Sequence, residues 1–260
     1  MRDEGLDRAI VAAGGVAELA RKISISQPSV SNWSKVPAQR VIAVEAVTGI
    51  PRTELRPDLY CERELREATI DPVDAARARE YTLLAKLLSA APSSRLLAQL
   101  AALTGDTTPI GCAHAALAEA ASGTIAARVE REYFDLFVGL GRGELLPYAS
   151  YYLTGFLNER PLSRLRADLG VLGIERVVDN FEPEDHAAIL CEIMAGLADG
   201  RFEASAEAQR SFFEKHLLPW MGQLFADMEN ANSANFYRAV GTLGRLLLDI
   251  ETEAFTFSGA

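Results

Sequence analysis

The sequence is poor in everything that would let it cross a membrane, staple itself together or carry out catalysis. It has no run of about 18 apolar residues, so no transmembrane helix is expected. The opening Met1-Arg2-Asp3-Glu4-Gly5 is charged and lacks the apolar stretch of a secretory leader, which points to a cytoplasmic protein without membrane insertion. The three cysteines, Cys61, Cys112 and Cys191, are far apart, form no Cys-x-x-Cys and are odd in number. Three reduced thiols are therefore expected, not a disulfide scaffold or a zinc site. Histidine is equally scarce, with His114, His186 and His216, and neither Gly-x-Ser-x-Gly nor His-Glu-x-x-His occurs. Ser150, Asp185 and His186 supply the residue types of a hydrolase triad, but adjacent Asp and His side chains on a helix do not face each other. Gly139-x-Gly141-x-Gly143 lacks the preceding strand of a dinucleotide loop, and no Gly-x-x-x-x-Gly-Lys-Ser/Thr exists. Those glycines are expected to stop a helix and open a turn. No catalytic residue, metal or cofactor is expected; the chain reads as a binding protein and not an enzyme.

What is present is helical. Apolar residues make up 49% and charged residues 24%, the mix of a folded globule. Gly, Pro and polar clusters divide stretches with helical periodicity, and no alternating strand pattern of useful length appears. Val16–Lys22 and Pro28–Trp33 are short helix candidates, and Pro37–Thr48 a longer one ending before Gly49. Asp71-Pro72-Val73-Asp74 reads as a cap, a first-turn proline and an acid at the positive helix end, opening a helix with Tyr81, Leu84 and Leu88 on one face. Ile125, Val129, Tyr133 and Leu136 form a stripe, as do Leu190, Ile193 and Leu197, and then Phe236, Val240, Leu243, Leu247 and Ile250. An all-α bundle follows.

Charge divides the chain. Residues 1–60 carry a net +1 and residues 61–260 a net −11. An acidic body repels phosphate, so nucleic-acid contact is expected at the front alone. There, residues 16–33 meet the demands of a helix-turn-helix: Ala20 is small enough for a tight crossing, Leu19, Ile23, Ile25, Val30 and Trp33 fall at buried positions, and a three-residue turn lies between. Gln27, Ser29, Ser31 and Asn32 would face base edges and phosphates, followed by Lys35 and Arg40 as phosphate partners. This stretch resembles the Cro-like (YdaS-type) helix-turn-helix family over about residues 4–60, with Ser24 where the family commonly has Gly. The alternative is a helical hairpin that docks on the body or a partner. Near-neutral charge means that a monomer would bind DNA weakly, so a homodimer is a natural expectation.

The body carries four marks in order. These are the aromatic stretch 132–153, containing Pro147-Tyr148-Ala149-Ser150-Tyr151-Tyr152-Leu153; then Phe181-Glu182-Pro183-Glu184-Asp185-His186; then Phe212 through His216-Leu217-Leu218-Pro219-Trp220; then Phe236-Tyr237-Arg238-Ala239-Val240. Together they resemble the TorD/DmsD family of molybdoenzyme maturation chaperones over roughly residues 76–256, with wording nearest the branch associated with formate dehydrogenases. The organisation expected is a helix-turn-helix domain at 1–60, a linker at 61–75 and a TorD-like helical bundle at 76–257.

The resemblance implies a cytoplasmic chaperone that holds the twin-arginine signal peptide of a molybdoenzyme precursor until its cofactor is inserted. Tyr148, Ser150, Tyr152, Leu153, Glu182, Asp185, His186, Pro219 and Trp220 map onto its motifs. Carboxylates such as Glu182 and Asp185 suit guanidinium groups, and Tyr and Trp suit an apolar peptide. Each piece also has a structural alternative: Glu182-Pro183-x-Asp185 as a helix start, His186 as a cap or core residue, Tyr148–Leu153 as core aromatics, Trp220 as an anchor. Asp185→Ala is expected to weaken peptide binding without unfolding the chain, and Asn32→Ala to weaken operator binding. A second reading is a transcription regulator whose TorD-like body serves as a sensor of client peptide or as a dimerisation scaffold.

Overall fold

A computed structural model describes residues 2–57, 70–175 and 182–257. Cys61, the expected linker residues 61–69 and Phe181 lie outside the described residues. The chain divides into two compact units, Met1–Asp71 and Pro72–Ala260.

The front unit opens with α1 (Glu4–Ala13), capped by Asp3, whose carboxylate accepts from the Leu6 amide at 2.9 Å. Then come α2 (Val16–Lys22) and α3 (Gln27–Ser31), the latter with Ser26 as its cap and Pro28 in its first turn. The first of these has the bounds expected from sequence; the second is shorter. It ends at Ser31 because the chain turns there to bury Val36 ahead of Pro37, leaving Asn32 as the C-cap and Trp33 half-buried against the core. Ser24, in the connecting turn, takes the left-handed conformation (φ 57°) for which glycine is the usual residue. The stretch from Pro37 begins as a single 3₁₀ turn (Ala38–Arg40) before α4 (Val41–Thr48), which Gly49 closes at φ 72°. The short α5 (Arg52–Leu55) was not foreseen. Leu19, Ala20, Ile23 and Val30 are buried with Leu6, Val41, Val44 and Leu55, and Ile25 packs at the edge of this core. A Cβ on Gly5 would lie 2.5 Å from the Leu55 carbonyl oxygen, so glycine there allows α1 to approach α5.

The body is also helical, with no strand among the described residues. It runs α6 (Pro72–Ser89), α7 (Ser94–Ala101), α8 (Pro109–Ser122), α9 (Ala126–Tyr133), α10 (Ala149–Thr154), α11 (Arg160–Val171), α12 (Ala187–Ala198), α13 (Ala206–Phe212), α14 (Met221–Asn230) and α15 (Phe236–Phe257). Residues 72–75, part of the expected linker, already belong to α6. Ser93, Thr108 and Ser205 cap α7, α8 and α13 with their hydroxyls. The apolar, largely buried α12 packs along α6, and α15 lies against α14 and α8. Tyr81, Leu84 and Leu88 are buried as expected, as are Leu190, Ile193 and Leu197.

Two stripe residues are not in the core. Ile125 is 60% exposed because it precedes α9, and Ile250 is 41% exposed because the covered face of α15 at that point is the one carrying the buried Glu251 beside it. Two helices also widen into a π-turn, α9 at Phe134–Val138 and α13 at Phe213–Leu217. Gly139 ends the first of these, and Gly141 follows at φ 93°.

Candidate functional site

Each π-turn leads to the same local device, a Leu-Pro-aromatic sequence whose aromatic residue stands at the N-cap position of the next helix without a side-chain bond to its amides. Leu146-Pro147-Tyr148 opens α10 and Leu218-Pro219-Trp220 opens α14. Tyr148 lies opposite His186 in an isolated antiparallel bridge. The Ala149 amide donates to the Asp185 carbonyl at 3.0 Å and the Ala187 amide to the Pro147 carbonyl at 2.8 Å. Two marks separated by 34 residues or more thus meet where α10 and α12 begin.

Side chains complete the crossing. The Tyr148 hydroxyl donates to a Glu182 carboxylate oxygen, and its ring meets the His186 imidazole edge-on at 5.0 Å. Burial and then the Glu182 carboxylate hold the Tyr148 hydroxyl well above the usual phenol range. Burial pushes His186 down, against the pull of Glu182 and Asp185, so the ring is neutral at pH 7. Its Nδ1 accepts from the Ala188 amide at 3.1 Å, which assigns the ring proton to Nε2. His186 is therefore the cap of α12 as well as part of the crossing. Asp185 is fully buried; Oδ2 accepts from the Ser150 amide at 2.8 Å and so caps α10. Its Oδ1 and the buried Ser150 Oγ have no hydrogen-bond partner among the described residues.

Neighbouring residues of the second motif face different cavities. Glu182 and His186 line one of about 450 Å³ together with Tyr133, Lys86, Glu192 and Arg201. Arg201 is paired with Asp199 at 2.7 Å. Asp185 and Leu153 line another, of about 420 Å³, with Arg164, Asp168, Lys215 and His216. His216 bonds Asp168 at 2.7 Å, and burial still leaves its pKa lowered. Tyr152 and Trp220 belong to a third place. Their rings lie 5.4 Å apart, the tyrosine hydroxyl donates to Asp227 at 3.0 Å and the indole donates to the His216 carbonyl at 2.7 Å. Trp220 is buried and Pro219 exposed, while Leu153 is 45% exposed.

Sequence reading missed Tyr133 and Glu192 as cavity residues. Ala188, Ile189 and Glu192 share one face of α12, so helical spacing from His186 was a usable signal. In the front unit Gln27, Ser29, Ser31, Asn32, Lys35 and Arg40 are all exposed; the first three lie on α3, and the others follow it. No described helix is long and apolar enough to cross a membrane.

With this geometry in place, comparison with family models gives a match for each part of the chain. Residues 6–64 match the family model described as bacterial toxin YdaS, and residues 104–226 match that of the nitrate reductase delta subunit. Among curated proteins, the chaperone protein TorD of Vibrio cholerae is 31% identical over 121 residues, 43% of this chain and 55% of the relative. The TorD of Aliivibrio fischeri is 31% identical over 119 residues, 42% of this chain and 55% of the relative. That of Vibrio atlanticus is 26% identical over 132 residues, 47% and 61% respectively. The chain joins a YdaS-like front to a TorD-like body. The aligned segments span little more than half the length of these relatives. The match at 104–226 takes in three of the four marks of the TorD-like body, the crossing and Trp220 included; Phe236–Val240 lies beyond it.

Proposed function

We propose that the body binds the twin-arginine signal peptide of a molybdoenzyme precursor, a formate dehydrogenase in the first instance, and holds it in the cytoplasm during cofactor insertion. The observation that carries this is the cavity beside the crossing. Tyr148 fixes Glu182 next to neutral His186, and Glu192 adds a second carboxylate on the same wall. Two carboxylates flanked by the Tyr133 ring suit a peptide guanidinium, and the −11 charge of residues 61–260 favours a cationic ligand. No step of chemistry is asked of the site; binding is its work. Asp185, being buried, serves the shape of the crossing, and Glu182 is the carboxylate offered to the peptide. We further propose that the front binds DNA through α3 and the residues that follow it, as a homodimer.

Calorimetric titration with the signal peptide of a formate dehydrogenase precursor from the same genome tests the first part. Saturable binding is expected, lost when the peptide arginines become Gln and weakened in Glu182→Gln. No binding to this or other molybdoenzyme leaders would remove the chaperone reading.

A second reading has a specific observation behind it, the exposed polar residues of a helix-turn-helix at the front. The chain would then be a transcription regulator, with the body sensing unoccupied client peptide. Coupling between two ligands is reciprocal. The regulator reading requires DNA affinity to change when the leader peptide saturates the body, whereas a chaperone with an independent front shows the same DNA affinity with and without peptide.

A further inference from the structure

Residues 1–60 carry only +1, a weak field for a phosphate backbone, so the placement of individual cations decides what this unit can hold. Arg8 pairs with Glu54 at 2.6 Å, Arg21 with Glu18 at 2.8 Å and Arg52 with Glu45 at 2.8 Å. Arg2 makes no ion pair among the described residues. Its Nη2 donates to the Ser31 carbonyl at 3.4 Å. The next residue is fixed from two sides: the Asp3 amide donates to the Ser34 carbonyl at 2.8 Å, and the Asp3 carboxylate accepts from the Leu6 amide at 2.9 Å. The backbone ahead of α1 is thereby pinned to the segment that leaves α3. The neighbouring acids do not cancel Arg2 directly. Asp3 is engaged as the cap of α1, and Glu4 and Asp7 sit in its first turn, where the positive helix end takes up part of their charge.

We propose that Arg2 is a DNA-backbone contact that extends the surface of α3; the inference rests on the reading of the front as DNA-binding. One guanidinium N–H is directed at the Ser31 carbonyl. The remaining donors of the fork stay available to a phosphate oxygen flanking the bases that Ser31 and Asn32 would meet. The contact positions the reading helix and carries no sequence information of its own.

The test uses the full chain and two labelled DNA duplexes, the promoter fragment of its own gene and a scrambled version. Binding is followed by fluorescence anisotropy between about 50 and 200 mM salt. Loss of one phosphate contact reduces the magnitude of the slope of log K against log salt by about 0.9, and a homodimer that loses one from each protomer by about 1.8. Arg2→Gln is expected to do this on both duplexes without changing the melting temperature. Arg8→Gln removes the same charge from the pair with Glu54 and is expected to leave the slope unchanged. An unchanged slope in Arg2→Gln, or an equal fall in both variants, overturns the assignment. If the wild-type chain binds neither duplex, the DNA-binding reading fails and the assignment fails with it.

Discussion

At the residue scale the informative positions are those where an ordinary rule is broken. Ser24 holds a left-handed conformation without being glycine. Relief of about 1–2 kcal/mol of strain, set against about 0.5–1 kcal/mol for the freer unfolded chain, makes Ser24→Gly stabilising by roughly 0.5–1 kcal/mol. Slower hydrogen exchange of the front-unit amides would record it, and unchanged exchange would show that the turn relaxes without cost. Asp185 breaks another rule, as a fully buried carboxylate whose side chain accepts from a backbone amide, that of Ser150. Asp185→Ala leaves that amide unpaired in the core, at a cost of about 1–3 kcal/mol. The chain is still expected to stay folded at that cost, but the lowered stability makes Glu182→Gln the cleaner probe of peptide binding. Urea unfolding should separate the two, with a lowered midpoint for Asp185→Ala and an unchanged one for Glu182→Gln.

At the element scale, the start of α12 links structure to pH. Its cap is His186, which must be neutral to accept from the Ala188 amide. Burial holds the folded pKa below the ordinary histidine value of about 6.5, so the unfolded chain binds more protons as pH falls through that value. The stability that neutral His186 confers is therefore fully present above about pH 6.5 and declines below it, towards the lower folded pKa. His216 is shifted the same way, with Asp168 beside it. His186→Asn keeps a capping oxygen and removes one titration, so its melting temperature should fall less between pH 7 and 5.5 than that of the wild type; parallel curves would exclude His186 as a source of the loss. The π-turn after α9 makes a second prediction. Gly139 has φ 62° and ψ 170°, and a Cβ there would lie 2.1 Å from the Arg142 carbonyl oxygen. Gly139→Ala should cost about 2–3 kcal/mol, read as a lowered urea midpoint. These elements also mark how far sequence reasoning reaches. Amphipathic repeats gave α2 and the buried faces of α6 and α12, because that signal is local. The π-turns were invisible, since Val129, Tyr133 and Leu136 keep an α-like spacing while the backbone widens just after Tyr133. The order of motifs brought Tyr148 to His186, yet could not say that Asp185 and Glu182 face different cavities. That separation comes from the alternation of side chains across a single bridge, formed only once residues 34 or more apart are paired.

At the scale of the whole molecule, each unit has its own core, Leu6 through Leu55 at the front and Tyr81 through Leu248 in the body. Unfolding is then not a single two-state event, and a probe must be assigned to a unit. The body closes through a contact between residues 174 positions apart. Arg77, in the first turns of α6, donates to Glu251 near the end of α15 at 2.6 and 2.8 Å, and the Tyr81 hydroxyl donates to the same carboxylate at 3.2 Å. Glu251 is 1% exposed, so its charge is tolerable only because Arg77 and Tyr81 meet it. Glu251→Ala leaves a mostly buried guanidinium and a buried phenol with lost partners, and breaking a buried pair this way costs about 3–5 kcal/mol. The remaining Arg77–Asp74 contact at 2.6 Å places the expected loss at the lower end. Asp74, more open to solvent, should cost under about 1 kcal/mol when replaced by Ala. Fluorescence of Trp220 in a Trp33→Phe background reports the body alone, because each unit holds one tryptophan. A large fall in the urea midpoint for Glu251→Ala beside a small one for Asp74→Ala would identify the 77–251 contact as the closure of the body. Equal, small effects would mean that the packing of α15 on α14 and α8 holds that helix without it.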